Sequence, residues 1–483
     1  MFVAIAWIGT SADDAFAGGF EVPENTTKSV ARGGTGAVNK RDPSALYFNP
    51  ALLPRARGAQ VLFNVNFVNL NLEFDRDPLV VDEGTSREET RTFETVRNKD
   101  GFFPAPFLTA SWDLGIDNLT IGAGIFGPSA YGERCYGERT DEGCEPDPDG
   151  AARYMLIKSS LIEFYASLGA GYRIELPAGA LSLGVTGMAT RLDTNFTLAV
   201  HGSLDEEKEE DPDNDAIFHG RSMSDWALSG RFGLAYELEG FRVAASYRPP
   251  ISWEATGTAE MEPAESTGLG ELTEDGLTLE TEQAGSLRAG LGYEGGTHPG
   301  DAQLPRYDVE FNFVWEDWSR VDFFRITPQG DVRLAGTATQ PLYTIYQTKG
   351  YEDTFSYRLG GSYAINEWLT GHAGGYYETG AQPDEYTSVD FVSWDRFAGG
   401  LGASFRFLAN WELDVAYMHV FSPERTVTDG QIYNPVPTDQ CRGPDYDHES
   451  CDPQGTPPGN PQNNGTWRSS FQNASIGFTY RYE

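Results

Sequence analysis

Between Asp308 and Trp315 the chain changes character at every residue: Val309, Phe311, Phe313 and Trp315 are apolar, while Asp308, Glu310 and Asn312 are polar. A period of two is that of a β-strand, whose successive side chains point to opposite faces of the sheet. The alternation recurs where Phe241, Val243, Ala245 and Tyr247 interleave with Arg242, Ser246 and Arg248. It returns where Trp411, Leu413, Val415 and Tyr417 interleave with Glu412 and Asp414. Strands of this kind need one oily and one wet surrounding. No window approaches the ~18 consecutive apolar residues of a spanning helix, so a bilayer can be crossed here only by strands closed into a barrel. The apolar set then faces lipid, and polar residues line the interior.

From Gly58 onward two kinds of connection separate these runs. Short ones fall at residues 115–118, 177–179, 239–240, 366–367 and 409–410, with a somewhat longer one at 295–303. Long polar ones fall at 75–100, 129–152, 201–221, 256–277, 327–350, 381–390 and 426–465. Short periplasmic turns and long extracellular loops are the habit of outer-membrane barrels, which in bacterial single chains have an even strand number. Six turns and seven loops imply about 14 strands, with both chain ends periplasmic. The expected fold is all-β, a transmembrane antiparallel barrel with an N-terminal hatch plugging its lumen. Aromatic residues at 13% and 55 Gly suit many strands with aromatic ends.

The hatch is read from residues 31–54. Gly33, Gly34 and Gly36 permit close approach, while Pro43, Pro50 and Pro54 fix φ and withhold donors, so an irregular segment with no regular element is expected. Irregular backbone survives at membrane depth only inside protein or a wet cavity. Before it, residues 1–9 are apolar, and Ala15-Phe16-Ala17 has the small-x-small spacing of a secretory cleavage site. No Lys or Arg precedes that run, so a truncated signal is expected. The expected divisions are residues 1–17 signal peptide, 18–57 hatch and 58–483 barrel.

A formal charge of −37 excludes nucleic acid as a partner, because phosphate binding needs clustered Lys and Arg. Asp211, Asp213 and Asp215 resemble the start of a calcium loop, but Ala216 stands where Gly is required and no Glu closes the pattern. No metal or cofactor is expected. Cys135 with Cys144 and Cys441 with Cys451 read as two local disulfides in an oxidising compartment, with a four-thiolate zinc site as the alternative. The six histidines have no serine motif around them, so no enzyme is expected.

Asn49-Pro50-Ala51, Tyr236-Glu237-Leu238, Tyr247-Arg248, Trp315-x-x-Trp318-Ser319, Asp395-Arg396-Phe397 and Tyr417-Met418-His419 follow one another in an order that resembles the FadL/TodX family. These are outer-membrane channels for hydrophobic compounds, and the resemblance runs from about Gly19 to the C-terminus. The last strand, Ser475-x-Gly477-x-x-Tyr480-x-Tyr482, looks like the signal for barrel assembly, with Glu483 in place of a terminal aromatic.

The resemblance implies a monomer, set in outer-membrane lipid and lipopolysaccharide, that takes up hydrophobic small molecules passively. Loops capture the cargo, the hatch moves, and release is sideways into the bilayer. Long-chain fatty acids are the first expectation; aromatic hydrocarbons, or a general hydrophilic porin, are the alternatives. Asn49, Pro50 and Ala51 would gate the hatch. The lateral exit would lie at a kinked third strand facing them, here Gly122, Gly124, Gly127 and Pro128. Arg191 and Arg325 would hold a carboxylate. The parity of Leu181, Leu183 and Val185 sends Arg191 to the lipid side, so a bulge near Thr190 is required. Phe102, Phe103, Phe107, Tyr154, Phe196, Phe323 and Phe324 are aromatic candidates for the pocket.

Overall fold

The computed structural model describes residues 25–81, 89–127, 132–201, 210–264, 271–333, 339–340, 342, 344–408, 410–433 and 460–482. Alternating sequence becomes fourteen antiparallel barrel strands. They are β1 (Ala59–Arg76), β2 (Phe103–Trp112), β3 (Leu119–Phe126, resuming at Gly132–Cys135), β4 (Lys158–Glu175), β5 (Ala180–His201) and β6 (Asp215–Leu238). β7 (Phe241–Arg248 and Ile251–Glu262), β8 (Gly276–Gln283 and Ser286–Gly295), β9 (Tyr307–Glu316 and Phe323–Pro328) and β10 (Ile345–Thr348 and Thr354–Ala364) each run in two segments. β11 (Leu369–Glu378), β12 (Arg396–Leu408), β13 (Trp411–Phe421) and β14 (Gly465–Tyr482) complete the wall. Each pairs with its neighbour in sequence, and β14 closes on β1 from Ala59 opposite Tyr482 to Arg76 opposite Gly465. Closure removes both sheet edges, so no backbone row is left open to lipid.

Register puts the alternation to use. Val309 and Phe311 are exposed on the outside, whereas Glu310 and Asn312 are buried within. β5 has 22 residues and β6 has 24, well beyond the ~9–11 needed to cross a bilayer. Their upper parts therefore stand above the hydrocarbon, and charge pairs decorate that outer surface: Arg191 with Asp193, Arg221 with Glu260, Arg320 with Glu282 and Arg325 with Glu280.

The hatch fills the lower lumen. Three short helical pieces punctuate it where no regular element was expected: α1 (Thr27–Ala31), α2 (Ala45–Phe48) and a 3₁₀ turn (Pro50–Arg55). Thr26 Oγ1 caps α1 by accepting from the Ser29 N–H, and Pro50 opens the 3₁₀ turn where a missing donor costs nothing. Gly360, Gly374 and Gly400 make room for α1, since a Cβ on any of them would fall 2.2 Å from backbone atoms of Val30 or Arg32.

The interior has two layers rather than the uniformly polar lining expected. Around the hatch it is polar, with Asn64, Asn66, Glu310, Asn312, Glu412 and Asp414 buried. Above it one apolar cluster runs from Leu46, Leu52 and Leu53 of the hatch to Leu192, Leu198, Phe218, Trp253 and Phe324 of the wall. At the mouth, the connection between β11 and β12 tucks inward, burying Ala381, Gln382, Val389 and Trp394. Tyr136 fastens it by donating to the Val389 carbonyl at 2.8 Å. Cys135 and Cys144 form a disulfide; Cys441 and Cys451 lie outside the described residues.

Candidate transport path

Three cationic clamps hold the hatch to the wall. Arg32 reaches β9 with Nη2 at 2.6 Å from Asp308 and 3.0 Å from Glu310, and its Nη1 donates to Ser362 at 2.5 Å. Glu310 also accepts from the Val38 N–H at 2.8 Å. Lys28 meets Glu412 of β13 at 2.5 Å. Arg41 and Arg55 converge on Glu294 of β8 at 2.5 and 2.7 Å. Losing one partner of a buried pair costs about 3–5 kcal/mol, because the other charge stays behind without compensation.

Asn49 does three jobs with one amide. Its Oδ1 accepts from the Ala51 N–H at 3.1 Å, capping the 3₁₀ turn, and its Nδ2 donates to the Ala37 carbonyl at 3.0 Å. The same Nδ2 lies 3.4 Å from the Leu234 carbonyl and 3.3 Å from that of Ala245, on adjacent strands β6 and β7. Pro50 and Ala51 press on Gly184 of β5, where a Cβ would fall 2.2 Å from Pro50 C and 2.3 Å from Ala51 N. The motif thus rests on β5 to β7. Leu53 and Leu46 are the hatch residues that face Gly122 of β3, at 3.2 and 3.4 Å from its Cβ position.

β3 is regular through the glycines expected to kink it. Gly122 and Gly124 stay in ladder with β4 and with β2, and the absent side chains give space to the hatch and to Thr109. The first segment ends at Phe126, immediately before Gly127, and Pro128 lies outside the described residues. Phe126 turns inward, stacks on Phe107 at 4.9 Å, and meets the rings of Tyr47 and Tyr165 edge-on at 5.3 and 6.1 Å.

Higher in the lumen, a cavity of about 60 Å³ is walled by Leu161, Leu192, Phe196, Trp253, Phe324 and Phe391, with Thr194, Gln347 and Asp390 among its few polar groups. Phe391 meets Phe324 edge-on at 5.5 Å. Lys349 sits at the rim, its ammonium 4.8 Å above the Phe324 ring and paired with Asp390. Neither Lys349 nor Asp390 carries a sequence signal. Trp253 had one, the inward phase it shares with Ile251 and Ala255.

Both arginines expected at a carboxylate site face outward, and that role is withdrawn for each. Arg191 binds Asp193 at 2.6 Å and stacks 5.5 Å from the exposed Trp226. No β5 bulge turns Arg191 inward: the irregularity in the β5–β6 ladder falls between Thr194 and Phe196, and its extra residue lies on β6, where Arg221 and Ser222 stand opposite Asn195. Arg325 shares the outward parity of Phe323 and pairs with Glu280 at 3.1 Å. Of the aromatic candidates, Phe107 and Phe324 are buried in the apolar cluster and Phe196 packs against it. Phe102 is exposed.

A closed barrel stoppered by its own N-terminal segment and lined above the stopper by apolar side chains is a membrane transport protein of the outer-membrane type. The family profile of outer membrane transport proteins designated OMPP1/FadL/TodX matches residues 8–447, and the chain belongs to that family. Its fold is similar to a Pseudomonas aeruginosa FadL homologue, with TM-score 0.73 and 14% identity over 96% of this chain and 100% of that one. It is also similar to the Pseudomonas putida toluene transporter TodX, with TM-score 0.63 and 16% identity over 97% and 100% of the two chains. A 47 kDa outer membrane protein of Pasteurella multocida is 23% identical over 205 residues, 42% of this chain and 45% of that protein.

Proposed function

We propose that this chain passes hydrophobic molecules passively from the cell exterior into the outer membrane. The observation that carries the reading is the apolar cluster running unbroken from the mouth to the hatch. A hydrophilic porin gains nothing from such a lining. For an apolar molecule, each Å² kept out of water is worth about 25 cal/mol, so a dry route followed by sideways release avoids exposure to the periplasm.

The cargo route follows from the side chains. Loops capture the molecule, the Phe391 segment yields, and the aromatic group of Phe107, Phe126 and Tyr165 leads it toward β3, where the first ladder segment ends. A cavity of about 60 Å³ is smaller than the ~150 Å³ that holds a benzene, so the segment bearing Phe391 has to swing aside. Neutral aromatic hydrocarbons suit the upper pocket, because its rim cation Lys349 is already neutralised by Asp390. A long-chain fatty acid is the second reading, favoured by the buried Arg288 deeper in the lumen. The outward charge pairs on the upper wall fit a lipopolysaccharide layer, and a monomer with periplasmic termini is the arrangement we infer.

Uptake of a labelled long-chain fatty acid and a labelled neutral aromatic is to be measured in cells expressing wild type or Asn49→Ala at matched surface level. Wild type is expected to exceed cells lacking the protein. In the variant a mis-seated hatch removes the floor of the path, so uptake falls while leak of hydrophilic solutes rises. Should small hydrophilic solutes alone pass through the wild type, the porin reading replaces this one.

A further inference from the structure

Beneath the upper pocket, on the hatch surface, one wall cation is held differently from the hatch clamps. Arg288 of β8 is 3% exposed, and among the described residues its side chain makes no ion pair. Its Nη2 donates to the Tyr47 hydroxyl of the hatch at 3.1 Å, and Nη1 has no hydrogen-bond partner among those residues. The guanidinium lies 4.8 Å from the Tyr47 ring centre and 5.5 Å from that of Phe48. Every hatch clamp, by contrast, pairs its cation with a carboxylate. A guanidinium buried this way retains donors for an anion, and an ionisable group kept inside a membrane protein against its desolvation cost marks a ligand path.

The surroundings define the ligand. Arg231 lies 5.6 Å from the Tyr47 ring centre, a little further than Arg288, and the rings of Phe107 and Phe126 meet that of Tyr47 edge-on at 6.1 and 5.3 Å. A planar fork of donors beside an aromatic box matches an amphiphile with a single carboxylate head and an apolar tail. Resting on the channel reading above, we propose that Arg288 is the specificity-determining cation for acid cargo. The incoming carboxylate takes the guanidinium that now holds Tyr47, the tail lies along Phe107 and Phe126 toward β3, and the hatch loses one of its fastenings as the head group binds. No covalent step is involved. Neutral cargo bypasses this contact and depends only on the apolar lining.

The test compares uptake of labelled oleate and labelled naphthalene by cells carrying wild type, Arg288→Gln or Arg288→Lys at equal surface level. The Gln variant is expected to lose about tenfold or more in oleate uptake, as for a lost charge-assisted contact, with naphthalene uptake unchanged and the Lys variant partly restored. A parallel fall of both cargoes in the Gln variant would make Arg288 a hatch support only and overturn the proposal, as would undiminished oleate uptake. Wild type that takes up naphthalene but no oleate overturns it while leaving the channel reading intact; wild type that takes up neither sinks the channel reading itself. Should Arg288→Gln fail to reach the surface, Tyr47→Phe in purified protein decides. Freed from the hydroxyl, Arg288 is expected to bind oleate more tightly with naphthalene binding unchanged, and unaltered oleate binding overturns the proposal.

Discussion

Gly184→Ala is a wedge driven between hatch and wall at a known point. The new methyl would arrive 2.2 Å from Pro50 C and 2.3 Å from Ala51 N, both backbone atoms that cannot rotate away. Normal carbon contacts lie at about 3.5–4.0 Å, so the 3₁₀ turn has to retreat by more than about 1 Å. That retreat strains the Asn49 cap at Ala51 and the Asn49 contacts to Leu234 and Ala245. Overpacking of this kind costs about 1–3 kcal/mol, which raises the population of released hatch about 5- to 150-fold. Gly187→Ala, three residues along the same strand, is the control, since its Cβ would face outward with nothing nearer than 4.0 Å. Hydrogen exchange of peptides spanning residues 45–55, in purified protein, is expected to accelerate for Gly184→Ala and to stay at the wild-type rate for Gly187→Ala. Equal exchange in the two variants would refute the idea that the hatch is seated by close packing on β5.

Two further perturbations separate the clamps from the pocket. Glu310→Gln leaves Arg32 with a weakened partner and two hatch amides with a poorer acceptor; a loss of up to about 3–5 kcal/mol in hatch seating is expected, read as hydrophilic leak through an otherwise intact, heat-modifiable barrel. Asp390→Asn unmasks Lys349 at the pocket rim, so a fatty acid is expected to bind the purified protein about tenfold more tightly while a neutral aromatic is unaffected; equal changes for both would remove Lys349 from any role in selecting charge.

The wall was legible because lipid and lumen impose opposite demands on alternate residues. The short connections read from sequence fall at observed turns, whereas two of the long ones are too wide: β6 already starts at Asp215, within 201–221, and β7 runs on to Glu262, within 256–277. Parity also held where family resemblance pulled against it. Leu181, Leu183 and Val185 assign Arg191 to the outside, and the strand obeys the count. What could not be read was the upper lumen. Val314 and Ile326 occupy inward positions on β9 that a polar-lined barrel would give to charge, and Asp390 reaches its place through a connection whose path no local pattern specifies. The β3 glycines were misread for a related reason: glycine marks both a broken ladder and a tight contact, and only the packed barrel shows that Gly122, against Leu53 and Leu46 of the hatch, and Gly124, against Thr109 of β2, serve the second.

On the proposed reading, the two interior layers carry complementary parts of a gate. Below, charge pairs and glycine seats give the hatch strong, short-range fastening that fails over about 1 Å of movement. Above, an apolar lining gives cargo a favourable environment that varies little with position. A hydrophobic molecule that has displaced the Phe391 segment would therefore meet its next resistance at the boundary, where Tyr47 contacts Arg288 and the Phe107–Phe126 pair. Displacement at that boundary strains α2, and through Asn49 it reaches the Ala51 cap and the β6–β7 carbonyls. The fastenings most exposed to cargo are thus hydrogen bonds rather than ion pairs: the one Tyr47 accepts from Arg288, worth about 1.5–3 kcal/mol, and the neutral ones of Asn49, worth about 0.5–1.5 kcal/mol each. The buried ion pairs at Glu294, Glu310 and Glu412 lie further from it. A gate ordered this way would loosen locally around its cargo while its ionic anchors keep the plug in the barrel.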